Sequence, residues 1–294
     1  MDKYIESLGI VCRVLLAVFL FVLIQLVFIF GFDFLGINTD IYQGLFSTLY
    51  GIAVLAVFGF YCYKRSKKKE DFLMMQKPGY MTVFSAVVIA FGLLGFVTLY
   101  MYIFTVISMS NAPLQEDMAQ YAESVDRFIT TDAATVPYWD SILDFISATI
   151  IITLAEELVF RGVIFGELIN RFHPIIAAVM SSLLFGILHG ISVHIGYAFF
   201  CGVILCLVYY YSGSIWVSFL VHAIFNFMGS SLFSLFDSGI FGDLYEISDM
   251  IKYYTALFEV ICILPGIAGY LLIYVIYKED KKKKAEPKVE EVAV

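Results

Sequence analysis

Three charged side chains, Glu156, Glu157 and Arg161, lie within the apolar stretch "TLAEELVFRG", residues 153–162. Further along, "SLLFGILHG" carries His189 and "FLVHAIFNF" carries His222 and Asn226, again among apolar residues. Carboxylates and imidazoles are the groups of general acid–base and metal-assisted chemistry. An ionisable group at membrane depth is costly and marks a functional site by default. Helical spacing divides the three charges. Glu157 and Arg161 are four residues apart and fall on one helix face, which suits an ion pair. Glu156 points about 100° away from Glu157 at 3.6 residues per turn, so it remains free as a general base. His222 and Asn226 repeat the i,i+4 spacing, as do Phe185 and His189. Asp144 and His194 lie near the ends of apolar runs, and His173 sits beside Pro174 in a short connection. These three carry no assigned role.

The elements that must position these groups are transmembrane helices. The chain has 294 residues, of which 61% are hydrophobic and only 15% charged, with a mean hydropathy of +0.88. Soluble domains carry about a quarter charged residues. About eight apolar runs are long enough to be helical spans: 8–31, 44–63, 80–108, 141–165, 174–190, 194–211, 214–235 and 254–277. The expected fold is an all-α polytopic bundle. Residues 1–110 hold about three spans, 111–140 an extracytoplasmic loop, and 141–235 the reactive core helices. A loop and the last span follow over 236–278, then a charged cytoplasmic tail over 279–294.

Basic residues cluster in "YKRSKKKEDF" after the second run and in "YKEDKKKKAEPK" after the last. The positive-inside rule places both, and with eight spans both chain ends, in the cytoplasm. The opposite connections are acidic: Asp33 and Asp40, then Glu116, Asp117, Glu123, Asp126 and Asp132, then Asp237, Asp243, Glu246 and Asp249. The 109–140 connection has a weakly amphipathic stretch and reads by default as a solvated linker. A net charge of -8 leaves no basic face for nucleic acid. The five scattered cysteines read as small buried hydrophobes.

In chain order, "EELVFR" fits E-E-x-x-x-R, "FGILH" fits F-x-x-x-H and "HAIFN" fits H-x-x-x-N. This succession over roughly residues 140–232 resembles the CAAX protease and bacteriocin-processing enzyme family, which includes the type II CAAX prenyl endopeptidases. The resemblance implies intramembrane hydrolysis of a peptide bond in a membrane-associated or lipidated peptide or protein. It implies that Glu156 and His189 act on the water, with His222 and Asn226 as oxyanion donors or metal-binding groups. Glu157, Arg161 and Phe185 then have supporting roles.

Two mechanisms stay open. A Zn²⁺ held by His189, His222 and Glu156 would keep a position open for water. Alternatively Glu156 and His189 polarise water without a metal. The absence of H-E-x-x-H and G-x-G-D motifs counts against other intramembrane proteases. A non-catalytic immunity or transport-associated protein, using the same helices for binding, is the rival reading. Compact size and the lack of a retention signal favour a bacterial plasma membrane.

Overall fold

The computed structural model describes residues 2–69, 72–125, 131–190, 192–241 and 245–285. Asp126, Asp243 and the tail residues 286–294 lie outside the described residues. Among the described residues, and apart from a 3-10 turn at Ala133–Thr135, ten helices follow in order: α1 Asp2–Phe34, α2 Gln43–Ser66, α3 Tyr80–Ser108 and α4 Ala112–Val125. A continuous helical run over 138–168 forms α5. Then come α6 Pro174–Ile187, α7 Ser192–Ser212, α8 Ile215–Asp237, α9 Tyr245–Ile261 and α10 Ile263–Ala285. The architecture is all-helical, as the composition requires.

The span count differs from the expected eight. Five helices are long and apolar enough to cross a membrane: Glu6–Phe34, α2, α3, Val193–Ser212 and α8. A sixth is the pair Met250–Ile261 and Ile263–Ala285, bent by 48°. The expected span 254–277 is thus the middle of a broken helix that begins earlier. The expected span 174–190 is only Pro174–Ile187, 14 residues. At 1.5 Å per residue that is about 21 Å, short of a hydrocarbon core of about 30 Å. The run 138–168 contains Asp140, Asp144, Glu156, Glu157, Arg161 and Glu167, and it is not among the apolar spans.

α5 is the axis of the molecule. α1, α2, α6 and α8 all pack against it, and Phe160, Val163, Ile164 and Phe165 from it are fully or almost fully buried. Its start is fixed to the start of α2. The Asp140 carboxylate accepts hydrogen bonds from the backbone N–H groups of Gly44 at 3.0 Å and Leu45 at 2.8 Å, two donors left orphaned at a helix N-terminus. A Cβ on Gly44 would meet the Asp140 carbonyl oxygen at 2.0 Å, so only glycine allows this approach. A second apolar cluster joins α3, α7, α8 and α10.

α5 is not a regular α-helix. π-helical turns occupy Ser147–Ile152 and Glu157–Phe165, and another occupies Phe227–Ser231 within α8. Such turns are rare and gather at functional sites.

The 109–140 connection is more than a linker. It holds α4, and Tyr121 from α4 docks onto α7 with its hydroxyl 3.1 Å from that of Tyr197. The cysteines are unpaired: Cys62, Cys201 and Cys206 are buried, Cys262 is partly buried, and Cys12 is exposed.

Candidate active site

The reactive residues of three helices converge where the π turns of α5 face α6 and α8. Glu157 and Arg161 are both fully buried, with Arg161 Nη1 3.0 Å from Glu157 Oε1. Arg161 also lies over the Phe185 ring, 4.6 Å from its centroid, a cation–π contact. Glu157 has a second partner that spacing alone does not reveal. Its Oε1 lies 2.9 Å from His222 Nδ1. A carboxylate accepts, so Nδ1–H donates, and the imidazole is fixed with Nε2 turned the other way. Nε2 then lies 3.7 Å from Glu156 Oε2. Glu156 keeps 17% of its side-chain surface accessible, whereas Glu157 keeps none.

His189 is fixed in the same manner. Its Nδ1 lies 2.7 Å from the Phe185 carbonyl oxygen. Because that carbonyl only accepts, Nδ1 carries the proton and the Nε2 lone pair is free. The ring is held between Phe185, at 4.5 Å between centroids, and His194, at 4.4 Å. His194, without an assigned role in the sequence, stacks on Tyr197 at 4.8 Å and meets Tyr121 edge-on at 5.7 Å.

Asn226 reaches α5 instead of open space. Its Nδ2 donates to Thr153 Oγ1 at 2.9 Å, with the Ala148 carbonyl oxygen at 3.4 Å. The Thr153 hydroxyl donates to the same carbonyl at 2.7 Å, five residues back. These bonds serve a carbonyl that the first π turn leaves displaced from the regular ladder.

Glu156, His189, His222 and Asn226 all line one cavity of about 820 Å³, a volume within the range of ligand sites. Asp144 and His194 line it too. Residues of α3 and α9, outside the motif-bearing helices, close its far wall, among them Thr98 and Glu259. Glu259 is an acid inside the expected span 254–277 and so carries the same sequence signal as Glu156. Thr153 gave no sequence signal, because its role depends on the π turn. Among the described residues, no group of three His, Cys, Asp or Glu side chains is placed to hold a metal ion.

The bundle thus brings one carboxylate and two oriented imidazoles to the wall of one cavity. Residues 138–228 match the family model described as "Type II CAAX prenyl endopeptidase Rce1-like". Over these residues the match supports the resemblance to the CAAX protease and bacteriocin-processing enzyme family. No curated protein and no solved structure matches the chain. The matched segment runs from the start of α5 to the π turn of α8, and it contains the whole Glu–His–His–Asn set.

Proposed function

We propose that the protein is an intramembrane endopeptidase that hydrolyses a peptide bond of a membrane-associated or lipidated protein. The observation that carries this reading is the Glu156 carboxylate, 3.7 Å from an oriented His222 Nε2 on the wall of the 820 Å³ cavity that also holds His189. Glu156 is the general base. It takes a proton from a water bound in the cavity, and the hydroxide attacks the scissile carbonyl. His189, with Nδ1–H given to Phe185, offers Nε2 as acceptor to the same water. In this scheme His222 enters the cycle as the imidazolium, with Nδ1–H given to Glu157, and its Nε2–H donates toward the developing oxyanion and stays on the ring throughout. Glu156 then returns its proton to the leaving amine.

Asn226 is a positioning residue in this scheme, because its amide N–H groups already serve Thr153 and Ala148. The rival binding-only reading has less support, since packing alone needs neither a partly accessible carboxylate nor two oriented imidazoles.

The scheme uses no metal. Prolonged chelation of the purified chain in lipid is expected to leave cleavage of a prenylated peptide unchanged. Loss of activity on chelation, restored by stoichiometric Zn²⁺, would sink the metal-free scheme. Glu156→Gln is expected to lower cleavage about a thousandfold, within the range for general acid–base groups. Its thermal unfolding should match that of the unsubstituted chain. Cleavage by Glu156→Gln at an undiminished rate would remove Glu156 from the chemistry.

The same reading includes topology. The connection after α2 bonds to the end of α7 through Gln76 N–H and the Gly213 carbonyl at 3.0 Å. The end of α7 in turn meets α10 where the hydroxyls of Tyr210 and Tyr277 are 3.1 Å apart. Both basic clusters therefore lie at one end of the bundle, which supports a cytoplasmic location for both under the positive-inside rule. Eight crossings follow if α5 and the short α6 each pass through the bilayer as interior members of the bundle.

A further inference from the structure

The far wall of the cavity holds a second buried carboxylate. Glu259 on α9 retains 6% of its surface accessible. It lies outside residues 138–228, and none of the three motifs contains it. Among the described residues its one hydrogen bond comes from Thr98 Oγ1, at 2.8 Å to Oε2. No cation stands within ion-pair distance among those residues. The nearby Lys252, on the same face of α9, is taken up by both carboxylate oxygens of Asp237 at 3.1 and 3.3 Å. A carboxyl group buried without a counter-ion is costly to ionise, and a cationic ligand is a partner that would favour its charged form.

The position of Glu259 is fixed. A Cβ on Gly95 of α3 would meet the Glu259 carbonyl oxygen at 2.0 Å, so the two backbones touch where the acid is borne. The acid cannot swing away with its helix, and the cavity is its open side. The cavity lining holds four acids, Asp40, Asp144, Glu156 and Glu259, against one lysine, Lys252, which is taken up by Asp237.

We infer that Glu259, with Thr98, forms a substrate subsite that accepts a positively charged side chain of the bound peptide. This assignment rests on the endopeptidase reading for what occupies the cavity. Glu259 is a specificity-determining residue and not part of the hydrolytic step. A lysine or arginine would supply the counter-ion and the hydrogen-bond donors that the carboxylate lacks.

The test uses the full chain in lipid nanodiscs. Its probes are farnesylated peptides that differ only by Lys, Gln or Glu at single positions around the lipidated cysteine. Binding is measured on Glu156→Gln protein, so that the readout does not depend on turnover. At one position the Lys peptide is expected to bind about tenfold more tightly than its Gln counterpart, a modest ratio for one ionic contact. Adding Glu259→Gln should erase that ratio, and Glu259→Asp, which keeps the charge, should retain part of it. Equal affinity for Lys and Gln at every position would overturn the assignment, as would a Lys preference that survives Glu259→Gln. So would a chain that binds none of the peptides. A preserved Lys preference without cleavage by the unsubstituted chain would sink the endopeptidase reading and leave the cationic subsite standing.

Discussion

α5 carries two fully buried glutamates that face opposite fates. Glu167, near its end, accepts from Arg13 Nε at 2.9 Å, Tyr61 Oη at 2.8 Å, and Arg65 Nε and Nη2 at 2.7 and 3.0 Å. Both of its oxygens are used, and the bonds clasp α1 and α2 to α5. Glu157 has His222 at hydrogen-bond distance and Arg161 as counter-ion. Its Oε2 and all three guanidinium nitrogens of Arg161 lack a hydrogen-bond partner among the described residues. Arg161 is close enough to balance charge but off the hydrogen-bond direction. Satisfied ionic groups hold a fold, whereas buried and under-satisfied ones persist where something else depends on them. The near residue that depends on Glu157 is His222.

The largest effect is expected from breaking the under-satisfied pair. Glu157→Leu strands the Arg161 charge and frees the His222 ring. Losing one partner of a buried pair costs about 3 kcal/mol, and losing the group that orients a functional histidine costs up to about a hundredfold in activity. The two losses separate in the double variant Glu157→Leu with Arg161→Met. Replacing both charges should recover most of the thermal stability, while cleavage stays low because His222 still lacks its acceptor. If cleavage recovered with stability, the orienting role of Glu157 would be wrong and the pair would be only a structural support.

Next in size is the clasp. Glu167→Gln removes the charge that two arginines share, at a cost of about 2 kcal/mol for bonds of this kind. Cleavage at a temperature where the variant is folded should stay within about twofold, since none of its partners lines the cavity. A large loss of turnover in a folded Glu167→Gln protein would erase the distinction between the two acids.

The contrast also marks what was legible in the sequence. The i,i+4 spacing of Glu157 and Arg161 gave their ion pair correctly, because four residues return to nearly the same face. The separate direction of Glu156 was legible for the same reason. The bond from His222 to Glu157 was not, since it crosses between helices. Glu259 is an acid inside the expected run 254–277 and so was legible, whereas Glu167 lies just beyond the run 141–165. Hydropathy counts eight apolar runs, of which five or six are helices long and apolar enough to cross a membrane, because it does not see that α6 stops at Ile187. Hydropathy also does not see the bend between α9 and α10. The π turns were out of reach, because no residue type marks them.

The smallest expected effect tests those π turns. Thr153→Val keeps the shape of the side chain but removes the hydroxyl that donates to Ala148 and accepts from Asn226. An unmet buried hydrogen bond of this kind costs about 1 kcal/mol. If the first π turn holds α5 in register with α8, the Asn226 amide loses its anchor and His222, four residues earlier on α8, shifts with it. Cleavage should then fall several-fold through turnover, with KM nearly unchanged. Asn226→Ala combined with Thr153→Val should add little to either single change, because the two residues act through one bond. Full additivity of the two losses would show that Asn226 acts on the substrate directly, and it would return Asn226 to the group that faces the oxyanion.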